Sequence, residues 1–132
     1  MQTLPPLPPV PTLQRLLAVL LQFRAIDPEF PLQYAICLCE IAQNPGMSLT
    51  NLSEKTSLAL STVSRIVGAL SDYRPNGAPY GLISMEIAAV ERRRRELKLT
   101  AAGVELLRAA CTPLGSDGTE QSDRTISLKT VW

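Results

Sequence analysis

Histidine is absent from this chain of 132 residues, which removes the commonest general base and the commonest nitrogen ligand of a metal site. Cysteine is sparse: Cys37, Cys39 and Cys111 leave an odd thiol in any pairing, and no Cys-x-x-Cys unit occurs. A zinc site would need all three thiols plus a carboxylate, so no metal or other cofactor is expected. There is no Gly-rich phosphate loop and no pair of acidic residues set among apolar ones, so the chain does not read as an enzyme. No basic segment, apolar stretch and cleavage site open the sequence, and no apolar run is long enough to span a bilayer. The expected setting is the cytoplasm, with reduced thiols and no membrane partner.

Aromatic residues are also scarce, at 5%, whereas 45% of the chain is hydrophobic. One modest core built from Leu, Ile, Val and Ala follows, and packed helices suit it better than sheets. Cys37 and Cys39, two apart on a helical segment, point to nearly opposite sides and cannot easily bridge. A redox sensor and a buried structural thiol are both open readings, and the lack of a neighbouring Lys, Arg or His favours the second.

The net charge of +1 is small because it averages unlike regions. Residues 60–99 hold seven basic against four acidic side chains, a local +3, while residues 1–47 and 112–132 each carry −1. Counterion release depends on the face shown to phosphate, so a focused basic region matters more than the sum.

Three regions are expected. Residues 1–11, with Leu4-Pro5-Pro6-Leu7-Pro8-Pro9-Val10-Pro11, form an extended arm because proline fixes φ and lacks a donor. Its PxxP spacings suit a Pro-recognising groove, but no flanking basic residue is present; packing on its own domain or a second subunit is the plainer reading. Residues 12–111 form the folded domain. Thr12 is the expected N-cap of a helix that carries Leu13, Leu16, Leu17, Leu20 and Leu21 to about Ile26. That stripe, widened by Val19 and Phe23, needs more than one partner, within the chain or across a dimer. A second helix over about 31–42 places Leu32, Ala35, Ile36, Cys39 and Ile41 or Ala42 at helical spacing, ending at Asn44-Pro45-Gly46. Residues 112–132 are a polar tail, expected to be mobile to Arg124, with Ile126, Leu128, Val131 and Trp132 able to dock.

The chemistry lies between Ser48 and Thr100. Ser48 reads as the N-cap of a short helix with Leu49 and Leu52 inward, and Ser57-Leu58-Ala59-Leu60 turns the chain. A helix expected over 61–73 has Val63, Ile66, Val67 and Leu70 as its apolar stripe. On the opposite side Ser61, Arg65, Gly68 and Asp72 lie within about 40° of one line, flanked by Thr62 and Ser64. Hydroxyls can bond phosphates or base edges, Arg65 can bond guanine bidentately, and Gly68 permits close approach, so this face suits the major groove. By itself it is equally the solvated side of a helical hairpin.

After a turn-forming loop over 73–79, Gly81 to Ala88 reads as a strand and Glu96-Leu97-Lys98-Leu99 as its partner. Between them Arg92, Arg93, Arg94 and Arg95 sit at the tip, where Glu91 can pair with one guanidinium and hold the turn. Free guanidinium groups on a two-stranded ribbon suit the narrow, electronegative minor groove.

From Ser48 to Gly103 the sequence resembles the winged-helix domain of the MarR family of transcriptional regulators. The pattern is Leu49, Leu52 and Leu58, then Ser61-Thr62-Val63-Ser64-Arg65, Gly81-Leu82-Ile83, Glu91-x-Arg93 and Leu99-Thr100-x-x-Gly103. Glu91 and Arg93 stand where the family's wing usually carries Asp-x-Arg. The resemblance implies a mainly α fold with a small β-ribbon (α+β), a winged helix-turn-helix acting as a dimer. It further implies a bacterial or phage-encoded repressor or activator of double-stranded DNA. Ser61, Thr62, Ser64 and Arg65 would face the major groove and Arg93 the minor groove, with a small-molecule effector as a further partner. The link Ser71–Tyr80 is longer than the family's usual one and the terminal helices are shorter, which leaves the first helix and residues 100–111, or another surface, to form the dimer. A winged-helix protein-interaction module that does not read DNA is the alternative.

Overall fold

The computed structural model describes residues 4–72, 77–87 and 95–115. Five helices and one two-stranded antiparallel sheet follow in the order α1 (Val10–Ile26), α2 (Leu32–Gln43), α3 (Leu49–Thr56), α4 (Leu60–Leu70), β1 (Ile83–Ile87), β2 (Arg95–Leu99) and α5 (Ala101–Cys111), with a 3-10 turn over Thr112–Leu114. This is the mainly α fold with a β-ribbon expected from the sequence.

The core sits where α2, α3, α4 and the ribbon meet. Leu38, Ile41, Leu52, Val63, Val67, Leu70, Ile83 and Leu97 are all fully buried there. Leu97 is also tied by its backbone: its carbonyl accepts the Gly46 amide at 2.9 Å, and its N–H donates to Met47 O at 2.9 Å. The end of α2 is thereby stitched to β2. Gly46 adopts φ +90, the left-handed conformation that lets the chain leave α2 and reach the ribbon.

Two expectations are corrected. Helix α1 begins at Val10, not after Thr12, with Pro9 at the N-cap and Pro11 in the first turn; proline is tolerated there because first-turn amides have no intrahelical acceptor. The extended, exposed part of the arm is thus residues 4–9. In α2 the buried side chains are Cys37, Leu38 and Ile41, while Leu32, Ile36 and Cys39 are exposed. Gln33, Glu40 and Gln43 mark the outer side of that helix, and Leu32 and Ile36 lie along it, so a spacing counted through them selects the wrong face.

No residue of α1 is buried. It packs on α5 and the 3-10 turn, yet Leu16, Leu17 and Leu20 remain 54%, 55% and 50% exposed. No described helix is long and apolar enough to cross a membrane.

Candidate nucleic-acid interface

The α3–α4 unit is assembled by local hydrogen bonds. Ser48 Oγ accepts the Asn51 amide at 3.1 Å and Asn51 Oδ1 accepts the Ser48 amide at 3.3 Å, a reciprocal capping box that starts α3. The turn is closed by Ser57, left-handed at φ 59, and by Ser53 Oγ donating to Leu58 O at 2.6 Å. Helix α4 then starts at Leu60 with Ala59 at its N-cap, which contributes no side-chain cap. Its first-turn amides are the kind of donor that binds a phosphate at a helix N-terminus.

Helix α4 has two sharply different sides. Val63, Ile66, Val67, Ala69 and Leu70 are buried, as the spacing of its apolar residues requires. Ser61, Ser64 and Arg65 are exposed, with Thr62 and Gly68 half-buried beside them. Among the described residues no carboxylate pairs with Arg65, so its guanidinium is available to an external acceptor. The helix ends at Leu70, short of the expected 73. Ser71 is buried and its hydroxyl donates back to Val67 O at 2.8 Å, which closes the last turn, while Asp72 follows in a turn.

The ribbon pairs Ile83 with Leu99, Met85 with Leu97 and Ile87 with Arg95. Leu82, Ile83 and Leu97 are buried in the domain, and Lys98 Nζ lies 3.5 Å from Glu86 Oε2 on the outer side. Arg95 is the first residue of β2 rather than part of the tip, and it is exposed. Glu91, Arg92, Arg93 and Arg94 lie outside the described residues, as do Tyr73, Arg74 and the tail from residue 116.

Thr100 joins ribbon to α5. Its hydroxyl accepts the Gly103 amide at 3.1 Å and donates to Gly81 O at 2.7 Å, and its own amide donates to Leu82 O at 3.0 Å. A Cβ on Gly103 would collide with the Leu82 carbonyl oxygen. The Leu99-Thr100-x-x-Gly103 pattern is therefore a joint that lets α5 lie directly on the base of the wing.

Two features had no usable sequence signal. An open cleft of about 410 Å³ is lined by Ala42, Leu99, Val104, Leu107, Arg108, Cys111 and Thr112. Its walls come from α2, β2, α5 and the 3-10 turn, which only the fold brings together. The other is a contact between Asp27 and Tyr80, 53 residues apart.

Two of the three cysteines have thiols held in the protonated direction. Burial, reinforced by Glu40, pushes the Cys37 thiol up to about 11. Cys39, although exposed as a residue, is also raised, first by desolvation of its thiol among neighbouring atoms and then by Cys111 and Glu40. Each shift favours the thiol over the thiolate, and a protonated thiol is a poor nucleophile and metal ligand. No group of side chains suited to a metal ion occurs among the described residues.

Residues 38–73 match a family model described as winged helix-turn-helix DNA-binding. No curated protein matches the sequence. Among solved structures, the chain is similar to the S. aureus MepR–DNA complex, with 20% identity, a TM-score of 0.59 and 92% of each chain covered. It is similar to PcaV from Streptomyces coelicolor in complex with its natural ligand, with 19% identity, a TM-score of 0.56, and 92% of this chain and 87% of that one covered. Streptococcus pneumoniae FabT in complex with DNA gives 16% identity, a TM-score of 0.53, and coverage of 92% and 89%. These structures are MarR-family regulators, and at such identities the likeness is one of fold: the chain folds as a MarR-type winged helix.

Proposed function

We propose that the chain is a sequence-specific, double-stranded DNA-binding transcriptional regulator, a repressor that occupies its site as a homodimer in a bacterial or phage-infected cytoplasm and catalyses no reaction. Helix α4 reads the major groove through Ser61, Thr62, Ser64 and Arg65, with Gly68 allowing close approach. The wing, with Arg92, Arg93, Arg94 and Arg95 and with Glu91 steadying its turn, contacts the minor groove or backbone. A small-molecule effector acts from the cleft between α2, β2 and α5, where its binding would strain the joint between wing and α5.

The observation that carries the reading is α4 itself. Its apolar side is sealed in the core, and its other side presents hydroxyls and an unpaired arginine. A helix with that division cannot rotate to hide its polar face, and the donors it displays match what base edges and phosphates accept.

The test is selection of bound fragments from genomic DNA by the purified protein, followed by titration at several salt concentrations. A two-fold symmetric site and salt-sensitive affinity are expected. Arg65→Ala should weaken the selected site by roughly 1–3 kcal/mol while leaving random DNA little changed; Arg93→Ala should weaken both and flatten the salt slope by about one. Absence of salt-sensitive DNA binding would favour a protein-interaction module instead.

A further inference from the structure

The scarce aromatic residues are concentrated at one junction. Both phenylalanines and two of the three tyrosines meet there: Phe30 lies 5.6 Å from Phe23, 6.0 Å from Tyr34 and 5.0 Å from Tyr80 between ring centres, and Tyr34 lies 6.1 Å from Tyr80. Within this cluster Tyr80 Oη donates to Asp27 Oδ2 at 2.6 Å, a short bond to a partly buried carboxylate.

The two partners are anchored to different helices. Asp27 is the C-cap of α1, its amide donating to Phe23 O at 3.3 Å, and its other carboxylate oxygen takes the Glu29 amide at 2.9 Å. Tyr80 belongs by its backbone to α4: its amide donates to Ala69 O at 3.0 Å, and the next two amides, of Gly81 and Leu82, donate to Ser71 O at 3.0 Å and Leu70 O at 2.7 Å. One side-chain pair therefore ties the C-terminal end of α1 to the C-terminal end of α4.

We propose that Tyr80 is a positioning residue that fixes the angle of α4 relative to α1 and, through it, the half-site spacing the dimer prefers. The inference rests on the DNA-reading function proposed above. Helix α4 has 11 residues, so its N-terminal end stands about 16 Å from the anchored end. A tilt of about 10° at the anchor carries Ser61 and its neighbours by about 3 Å, close to the ~3.4 Å rise per base pair along the DNA axis. The aromatic rings supply the bearing against which the Asp27 bond holds that tilt. Because α1 is the helix with an unpartnered apolar side, a fixed α1–α4 angle in each copy fixes the separation of the two reading helices.

Two readouts test this. Tyr80→Phe retains the ring and removes only the hydroxyl; Asp27→Asn retains an acceptor and serves as the conservative control; Asp27→Ala removes both charge and acceptor. On the selected site and on versions with half-sites one base pair closer or farther, the unmodified protein should discriminate by about tenfold, or ~1.4 kcal/mol. Tyr80→Phe and Asp27→Ala should fall below about threefold, Asp27→Asn should keep the preference, and random-DNA affinity should stay within about twofold. Independently of DNA, spin labels at Gln14→Cys and Ser64→Cys, in a Cys39→Ser and Cys111→Ser background diluted with unlabelled chain, should give a distance distribution that broadens with Tyr80→Phe. An unbroadened distribution in a folded Tyr80→Phe protein overturns the proposal, as does a spacing preference equal to that of the unmodified chain. If the unmodified protein ignores DNA, the function fails and the distance measurement still decides whether Tyr80 sets the angle.

Discussion

Replacing Gly103 by Ala sets two magnitudes of opposite sign against each other. Gly103 lies in the first turn of α5, where helix propensity alone favours alanine by at most about 1 kcal/mol. The packing argues the other way. The added methyl would sit on the Leu82 carbonyl oxygen, with the Leu82 carbonyl carbon at 3.1 Å and Leu99 Cδ2 at 3.3 Å. The first two are backbone atoms, so no side-chain rotation relieves the clash. Moving α5 away from the wing stretches the bonds from Thr100 N to Leu82 O and from Thr100 Oγ1 to Gly81 O, now 3.0 and 2.7 Å. Overpacking costs about 1–3 kcal/mol, and two weakened hydrogen bonds add about 1 kcal/mol each at most. Set against the propensity gain, the expected net destabilisation is about 2–4 kcal/mol. Urea unfolding at a fixed chain concentration measures it, with an unchanged m-value confirming that only stability moved. An alanine variant as stable as the parent, or more so, would refute the close-approach account of Leu99-Thr100-x-x-Gly103.

Two further outcomes are expected from single sites. Ser57 holds the left-handed conformation at φ 59 and its side chain is exposed, so Ser57→Gly should raise stability by about 0.5–1 kcal/mol, visible as a higher urea midpoint. Cys37 has a folded-state pKa raised from 9.0 to about 11, so between those values the unfolded chain releases a proton that the folded chain keeps. Stability should therefore fall as pH rises from about 9 towards 11. Comparing stability–pH curves with Cys37→Ala isolates this contribution: the parent should lose more stability across that window, and parallel curves would contradict a buried, protonated thiol.

What the sequence could reveal depended on how sharply each element divides into two sides. Helix α4 does so cleanly, and Val63, Ile66, Val67 and Leu70 are buried as their spacing predicts. Helix α3 was marked by its cap and by Leu52. Helix α2 does have a polar side, marked by Gln33, Glu40 and Gln43, and Leu32 and Ile36 lie along it, so they are exposed rather than inward. The start of α1 was obscured because Pro11 looks like a breaker, although a first turn accepts it. Arg95 read as one of four equivalent tip residues, but strand pairing with Ile87 sets it apart. The Asp27–Tyr80 bond and the cleft were invisible for a different reason. Their members are scattered along the chain, and no local pattern records that α1 and the segment after α4 will meet.

The exposed side of α1 leads to a prediction about how two copies join. Val10, Leu13, Leu16, Leu17, Leu20 and Leu21 are all at least 39% exposed, and Leu114, 54% exposed, belongs to the 3-10 turn against which α1 packs. Full burial of one such side chain is worth about 1.5–3 kcal/mol, so covering the half still open yields about 1 kcal/mol each. A two-fold pairing through these six positions on both chains gives roughly 12 kcal/mol of gross stabilisation, within the range of about 4–15 kcal/mol that association costs in lost freedom. Gain and cost are thus of similar size, so a single buried charge decides the balance. Leu17→Glu places one carboxylate per chain in the centre of the stripe, and two desolvated like charges cost several kcal/mol each without a partner. The expected result is a monomer by sedimentation at about 10 μM chain, with helical content retained because Leu17 contributes little to the core of its own chain. Affinity for a two-fold DNA site should fall by about a hundredfold or more, while half-site binding persists, since linking two half-sites is what supplies the gain. A dimer that survives Leu17→Glu would place the pairing surface elsewhere and remove the link from the α1–α4 angle to half-site spacing.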